Sequence, residues 1–216
     1  MKGAKFSLRL RFLVYLKMCF FIFLKTVENR VIRWFYHGLE EEMIEIGGWR
    51  FNLDYGFIYL LESGDDWNYY LPPGGVEGRK VLDLGGGCGE TAKFFLDHGA
   101  AEVVVVEPNP GCFKYLDYNA ERHEGIVVFK EKAKLIHLGL GCDLIKMDIE
   151  GYELEFLPYL DDVNVDIVLE AHSNYIVDQF LLHGFSLFNS FRRNRELTGG
   201  GTGGIDQLYR WKTPAT

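Results

Sequence analysis

The chain has 216 residues and is 48% hydrophobic, which suits one domain with a full core and a small appendage. Its net charge of −8 at pH 7 argues against a general nucleic-acid binder, whose affinity rests on neutralising phosphates. The four cysteines and six histidines show neither a C-x-x-C pair nor Cys/His ligand spacing, so reduced thiols, a cytoplasmic setting and no metal are expected.

The charge is uneven. The first 33 residues hold eight Lys or Arg and one acid, a surplus of seven positive charges, so the remainder carries −15. Residues 8–24 are apolar and aromatic but interrupted by Arg9, Arg11 and Lys17. The run from Phe12 to Leu24 is shorter than the roughly 20 apolar residues that span a bilayer. It also lacks the small-residue cleavage site of a signal peptide. Two readings stay open for this arm, residues 1–43. One is a helix whose Leu13, Leu16, Phe20, Phe23 and Val27 pack on the domain; the other is peripheral contact with a membrane through residues 1–33.

Residues 44–75 change texture. Gly47-Gly48, Asp54-Tyr-Gly56 and Ser63-Gly-Asp-Asp66 punctuate short aromatic runs, and the reading is β-hairpins followed by a Pro-Pro-Gly-Gly linker. Trp67, Tyr69 and Tyr70 are either core or the lining of a neighbouring site. This segment and the glycine stretch at 199–204 are candidate lids.

The main domain, residues 76–216, opens on Val81-Leu-Asp-Leu-Gly-Gly-Gly-Cys-Gly-Glu-Thr91. An apolar strand runs into four glycines and then a helix start at Thr91. Such a turn lets a ligand approach the backbone and offers it unpaired N–H groups. Gly87-Cys-Gly89-Glu-Thr-Ala92 fits a dinucleotide fingerprint. The wider spelling, with Asp83 ahead of Gly85, Gly87 and Gly89, resembles motif I of class I S-adenosylmethionine (SAM)-dependent methyltransferases. That resemblance implies polar groups around the loop, Thr91 among them, holding the amino-acid end of SAM.

Strands and helices then alternate, the mark of a parallel α/β sheet. Strands are read at 102–107, 125–129, 142–148, 165–170, 185–191 and 205–211, with helices at 110–122, 152–160 and 174–183. With the first strand that makes seven, and the closeness of the last two requires one to run antiparallel. The fold class is thus α/β, a Rossmann-like, mostly parallel seven-strand sheet with an N-terminal helix and hairpin extension.

Glu107 ends the second strand about twenty residues past the glycine loop, where a carboxylate takes ribose hydroxyls. Pro108-Asn109-Pro110 turns the chain away beside it. The fourth strand ends Lys146-Met-Asp148-Ile-Glu150-Gly151, and the fifth ends Glu170-Ala-His172. With Glu107-Pro-Asn-Pro110 these stretches are similar to the FkbM-like methyltransferases over roughly residues 80–191. The resemblance implies SAM as cofactor, methylation of a hydroxyl, and a methyl group bordered by Asp148 and Glu150.

Asp148 faces the crevice where open α/β sheets bind ligands, and it is also a fitting cap for the following helix. His172, on one strand face with Glu170, is the side chain suited to accept a hydroxyl proton if neutral. Many methyltransferases carry an acid before the alanine that follows the third strand, to meet the adenine amine; here Lys132 precedes Ala133. The expected acceptor is a small molecule, sugar or lipid-linked hydroxyl, with nucleic acid disfavoured by the acidic body. An NAD-dependent oxidoreductase, an RNA methyltransferase and a SAM-binding module without catalysis are the alternatives.

Overall fold

The computed structural model describes residues 43–62, 65–189 and 206–212. The basic N-terminal arm and the glycine stretch at 199–204 lie outside them. Strands β1 (Met43–Ile46) and β2 (Trp49–Asn52) form an antiparallel hairpin. Its turn is Gly47-Gly48, with φ of 59° and 89°, and positive φ at both central positions is what a two-residue hairpin turn of type I′ requires.

After this hairpin the structure departs from the sequence reading. No further hairpin follows among the described residues from 53 to 75. Leu53–Glu62 forms helix α1 and Asp65–Tyr70 a 3-10 helix. The reason is local. Asn52 Oδ1 accepts the Tyr55 N–H at 2.9 Å, a helix cap, and the buried positions 53, 56 and 59 recur at helical spacing. Gly56 then lets the helix lie against β1, since a Cβ there would meet Ile44 Cβ at 2.9 Å.

The main sheet is built from β3 (Lys80–Leu84), β4 (Glu102–Val106), β5 (Ile126–Phe129), β6 (Leu144–Met147), β7 (Asp166–Ala171), β8 (Ser186–Asn189) and β9 (Asp206–Arg210). Helices α2 (Glu90–Asp97), α3 (Pro110–Ala120), α4 (Leu157–Leu160) and α5 (Asn174–Leu182) connect them. The strand order is β5-β4-β3-β6-β7-β9-β8. The first five strands pair in parallel, and β9 runs antiparallel to both β7 and β8. This is the mostly parallel seven-strand Rossmann-like sheet expected, with its antiparallel member in the final pair.

One helix is shorter than expected. The span from 152 to 160 divides into a 3-10 turn, Glu153–Glu155, and the single-turn helix α4. Pro158 sits in the first turn of α4 and has no N–H to donate, so a helix begun at Tyr152 cannot run through it.

Strand alternation divides the core in two. Val81, Val103, Val105, Leu144 and Val168 pack with Phe94, Phe95 and Leu116 and with Trp49, Phe51, Trp67 and Tyr70 of the N-terminal segment. Leu82, Val104, Ile145, Met147, Ile167 and Leu169 pack on the other face with Leu160, Ile176, Phe180 and Phe185. Residues 49–70 are therefore part of one face of the sheet. The chain leaves β3 toward β4 on one side and later returns to β6 on the other. That reversal opens a crevice at the C-terminal ends of β3, β6 and β7.

Candidate functional site

The glycine loop lies directly on this crevice. Gly85, with φ of 79°, donates its N–H to Val106 O at 2.9 Å. A Cβ on Gly85 would stand 1.7 Å from the carbonyl oxygen of Asp148, so only glycine fits. At Gly87 a Cβ would stand 2.3 Å from Glu90 Oε1 and 2.7 Å from the Tyr55 ring. Gly89 caps α2 in the left-handed conformation.

Glu107, one residue past β4, brackets the loop. Its Oε2 accepts the Gly87 N–H at 2.9 Å and its Oε1 accepts the Asn109 N–H at 2.7 Å. Each oxygen keeps a further acceptor site. Burial pushes its pKa up, while the two backbone donors oppose that rise. Asn109 in turn caps α3 by accepting the Gly111 N–H at 2.9 Å, and Pro108 is exposed beside it.

Asp83 stands elsewhere than a ligand-contacting acid would. It is wholly buried: Thr91 Oγ1 donates to its Oδ2 at 2.5 Å, and Lys146 Nζ lies 3.1 Å from its Oδ1. Lys146, 1% exposed, also donates to Gly85 O at 2.9 Å and lies 3.9 Å from Asp148. Burial alone would lower its pKa, but Asp83, Asp148 and Glu170 together hold it above the usual lysine value. Asp83, Thr91 and Lys146 thus brace the loop from beneath. Lys146 was visible as a lone charge inside the apolar strand Leu144–Met147.

Lys132 and Ala133 stand apart from the glycine loop's bonds. Lys132 is exposed, lies 3.3 Å over the Tyr152 ring and approaches Glu155 at 3.9 Å. Ala133 packs at the edge of the second core cluster.

The ends of β6 and β7 bring the remaining candidates together. Asp148 donates its N–H to Leu84 O at 2.9 Å, which sets it beside the glycine loop. Nε2 of His172 lies 3.4 Å from Asp148 Oδ1 and 3.6 Å from Glu150 Oε2. Its Nδ1 lies 3.2 Å from Glu153 Oε1. Glu153 is fully buried, and the same oxygen accepts the N–H groups of Ile149 at 3.3 Å and Gly151 at 3.1 Å. Glu150 has a φ of 55°, the one positive φ outside glycine among the described residues. Glu170 accepts hydrogen bonds from Tyr69 and Tyr70 on one oxygen, Oε1.

The electrostatics correct one expectation. His172 is not poised as a neutral base. Its hydrogen bond to Glu153 and the nearby Asp148 and Glu150 outweigh burial and raise its pKa to about 9, so it is an imidazolium at neutral pH. Asp148 is raised to about 6, chiefly by burial, with Lys146 opposing. Sequence reasoning gave Glu153 and Lys146 no role of their own, and it left Tyr69 and Tyr70 open between core and site lining without pairing them to Glu170. The only trace of Glu153 was an acid two residues past Gly151.

No protein-family model matches the chain. A stretch of 107 residues is 31% identical to the tRNA U34 carboxymethyltransferase of Chromohalobacter salexigens, covering 47% of this chain and 30% of that protein. The match therefore spans under a third of the relative. Among solved structures, the chain is similar to the ribosomal protein L11 methylase of Lactobacillus delbrueckii subsp. bulgaricus. There the TM-score is 0.49 and the identity 16%, over 76% of this chain and 81% of that one. It is also similar to Aeropyrum pernix fibrillarin in complex with natively bound S-adenosyl-L-methionine, with a TM-score of 0.48 and 14% identity, over 79% and 82% of the two chains.

Proposed function

We propose that this chain is a SAM-dependent methyltransferase that moves a methyl group onto an acceptor hydroxyl. The observation that carries the reading is the Glu107 bracket. One buried carboxylate at the end of β4 holds the glycine loop through Gly87 N–H and keeps an acceptor site on each oxygen. Two ribose hydroxyls are the partners that such a carboxylate suits. Gly85 and Gly87 let the loop pack closely against Asp148, Glu90 and Tyr55, which fill the space a Cβ would take. When bound, SAM supplies an already activated sulfonium methyl group.

The chain's own task is then position and proton handling. An acceptor hydroxyl entering beside Asp148 meets Glu150 and His172. The charged His172 does not take the proton; it holds the carboxylates and favours the developing negative oxygen. Asp148 and Glu150 are the groups that accept the proton, and Glu150, 84% exposed, passes it to water. The acceptor is read as a small molecule, sugar or lipid-linked hydroxyl.

A second reading, methylation of RNA, is supported by the similarity to the tRNA-modifying relative and by the basic arm. Two measurements test these readings. Calorimetric titration with SAM and with NAD decides the cofactor, and preferential NAD binding sinks the proposal. Release of S-adenosylhomocysteine with a panel of sugars, lipids, small hydroxyl compounds and tRNA identifies the acceptor. A chain that binds SAM and never turns over is a binding module instead.

A further inference from the structure

We infer that Asp148, Glu170 and His172 form a divalent-cation site beside the glycine loop, which binds an oxygen of the acceptor. The three side chains offer ligand atoms that all lie within 4.8 Å of one another. They arrive from the ends of two neighbouring parallel strands, β6 and β7. Ligands about 2.1 Å from one ion stand roughly 3–4.2 Å apart. The separation of 3.4 Å from His172 Nε2 to Asp148 Oδ1 falls in that range.

Independent features point the same way. Among the described residues, Asp148 Oδ1 is buried, has His172 Nε2 as an ion-pair contact at 3.4 Å and accepts no hydrogen bond, which is costly for a carboxylate oxygen unless a ligand completes it. Glu153 engages Nδ1 of His172, leaving Nε2 directed at the other groups. A carboxylate on the far nitrogen is the usual orienting partner of a metal-ligating imidazole. Tyr69 and Tyr70 occupy only Oε1 of Glu170, so its second oxygen remains available as a ligand. Charge also favours a cation. Among the described residues, the acids Asp148, Glu150, Glu153 and Glu170 have His172 and Lys146 as their cationic partners, and Lys146 is shared with Asp83. Finally, Glu150 sits in the left-handed region, a conformation that clusters at ligand-binding turns.

Two carboxylates with one imidazole suit a first-row cation that accepts both oxygen and nitrogen, such as Mn²⁺. The ion takes the place of the Nε2 proton of His172, which leaves to solvent, so the imidazole is charged in the ion-free chain and neutral as a ligand. Such an ion lowers the pKa of a bound hydroxyl. As the acceptor oxygen bonds to the methyl carbon and the carbon–sulfur bond breaks, the hydroxyl proton passes to Glu150, which stays off the ion at the rim. The acceptor role rests on the methyl-transfer reading above; the cation site itself does not.

The test is Mn²⁺ titration of the full chain after chelator treatment, read by loss of the free-ion electron paramagnetic resonance signal. SAM binding is measured on the same samples by calorimetry. One Mn²⁺ per chain is expected, with affinity falling at least about tenfold in Asp148→Asn, Glu170→Gln and His172→Ala. The isosteric Asn and Gln variants guard against loss of folding, and Mn²⁺ should raise the melting temperature of wild type but not of these variants. No saturable Mn²⁺ binding, or binding indifferent to all three substitutions, overturns the site. SAM binding without Mn²⁺ binding removes the cation and keeps the cofactor reading. Mn²⁺ binding without SAM binding does the reverse.

Discussion

Glu153 Oε1 stands 3.2 Å from Nδ1 of His172 and 3.1 Å from the N–H of Gly151. One fully buried carboxylate thereby ties the turn after β6 to the end of β7. The relationship fixes the imidazole's direction and its charge, and it makes stability depend on pH in a defined window.

The first prediction concerns that window in the chelator-treated protein. His172 has a folded pKa of about 9 against an ordinary 6.5, so the folded state holds its proton more tightly. The gain is fully present below about pH 6.5 and is lost as pH rises through about 9. It amounts to roughly 3 kcal/mol at most, from about 1.4 kcal/mol per pKa unit. Urea unfolding of wild type and His172→Gln across pH 6 to 10 should show their stability gap closing. A gap that stays constant over that range is evidence against the Glu153–His172 interaction.

Glu107 gives a prediction about affinity. Glu107→Ala should weaken SAM binding by about 1.5–3 kcal/mol, the worth of hydrogen bonds to a charged group. The same substitution frees Gly87 N–H and Asn109 N–H, so loss of loop order adds to the effect. Calorimetric titration checks it. Unchanged affinity in a folded variant removes Glu107 from the cofactor site.

For turnover, His172→Ala should keep SAM affinity and lose about 10²–10⁴-fold in single-turnover rate, the usual weight of a group that handles a proton or charge in the reaction. Asp148→Ala should weaken both binding and turnover, because Asp148 borders the glycine loop through its carbonyl and the acceptor side through its carboxylate. A His172→Ala enzyme within a few-fold of wild type removes His172 from the mechanism.

Beneath the loop, Lys146→Met should be strongly destabilising, by about 3–5 kcal/mol, since it leaves Asp83 charged and buried without its ammonium partner. The double variant Asp83→Asn, Lys146→Met should recover part of that loss. Urea denaturation of these two variants and of the Asp83→Asn single variant reads the coupling. Strictly additive losses mean the pair does not act as a unit.

Much of this molecule could be read along the chain because the signals are local. The Val103–Val106 run marked a strand buried on both faces, and the glycines from 85 to 89 marked a turn that no side chain fits. Glu107 announced its place by distance from that turn. The spacing of the last two apolar runs required an antiparallel strand, and β9 is that strand. Helix α1 was legible too, in Asn52 and the three-residue recurrence at 53, 56 and 59, but glycine punctuation and aromatic content suggested hairpins instead. What only the tertiary structure decided is who meets whom across strands. Asp83 lies opposite Lys146 in register, and Glu153 lies beside His172, nineteen positions later. Sequence spacing carries no record of register between strands joined by long crossovers. For the same reason Asp148, Glu170 and His172 show no ligand spacing along the chain, yet they converge where two parallel strands end side by side. The protonation states of Asp148 and His172 follow from that convergence, because a pKa is set by the charges and water a group meets in space.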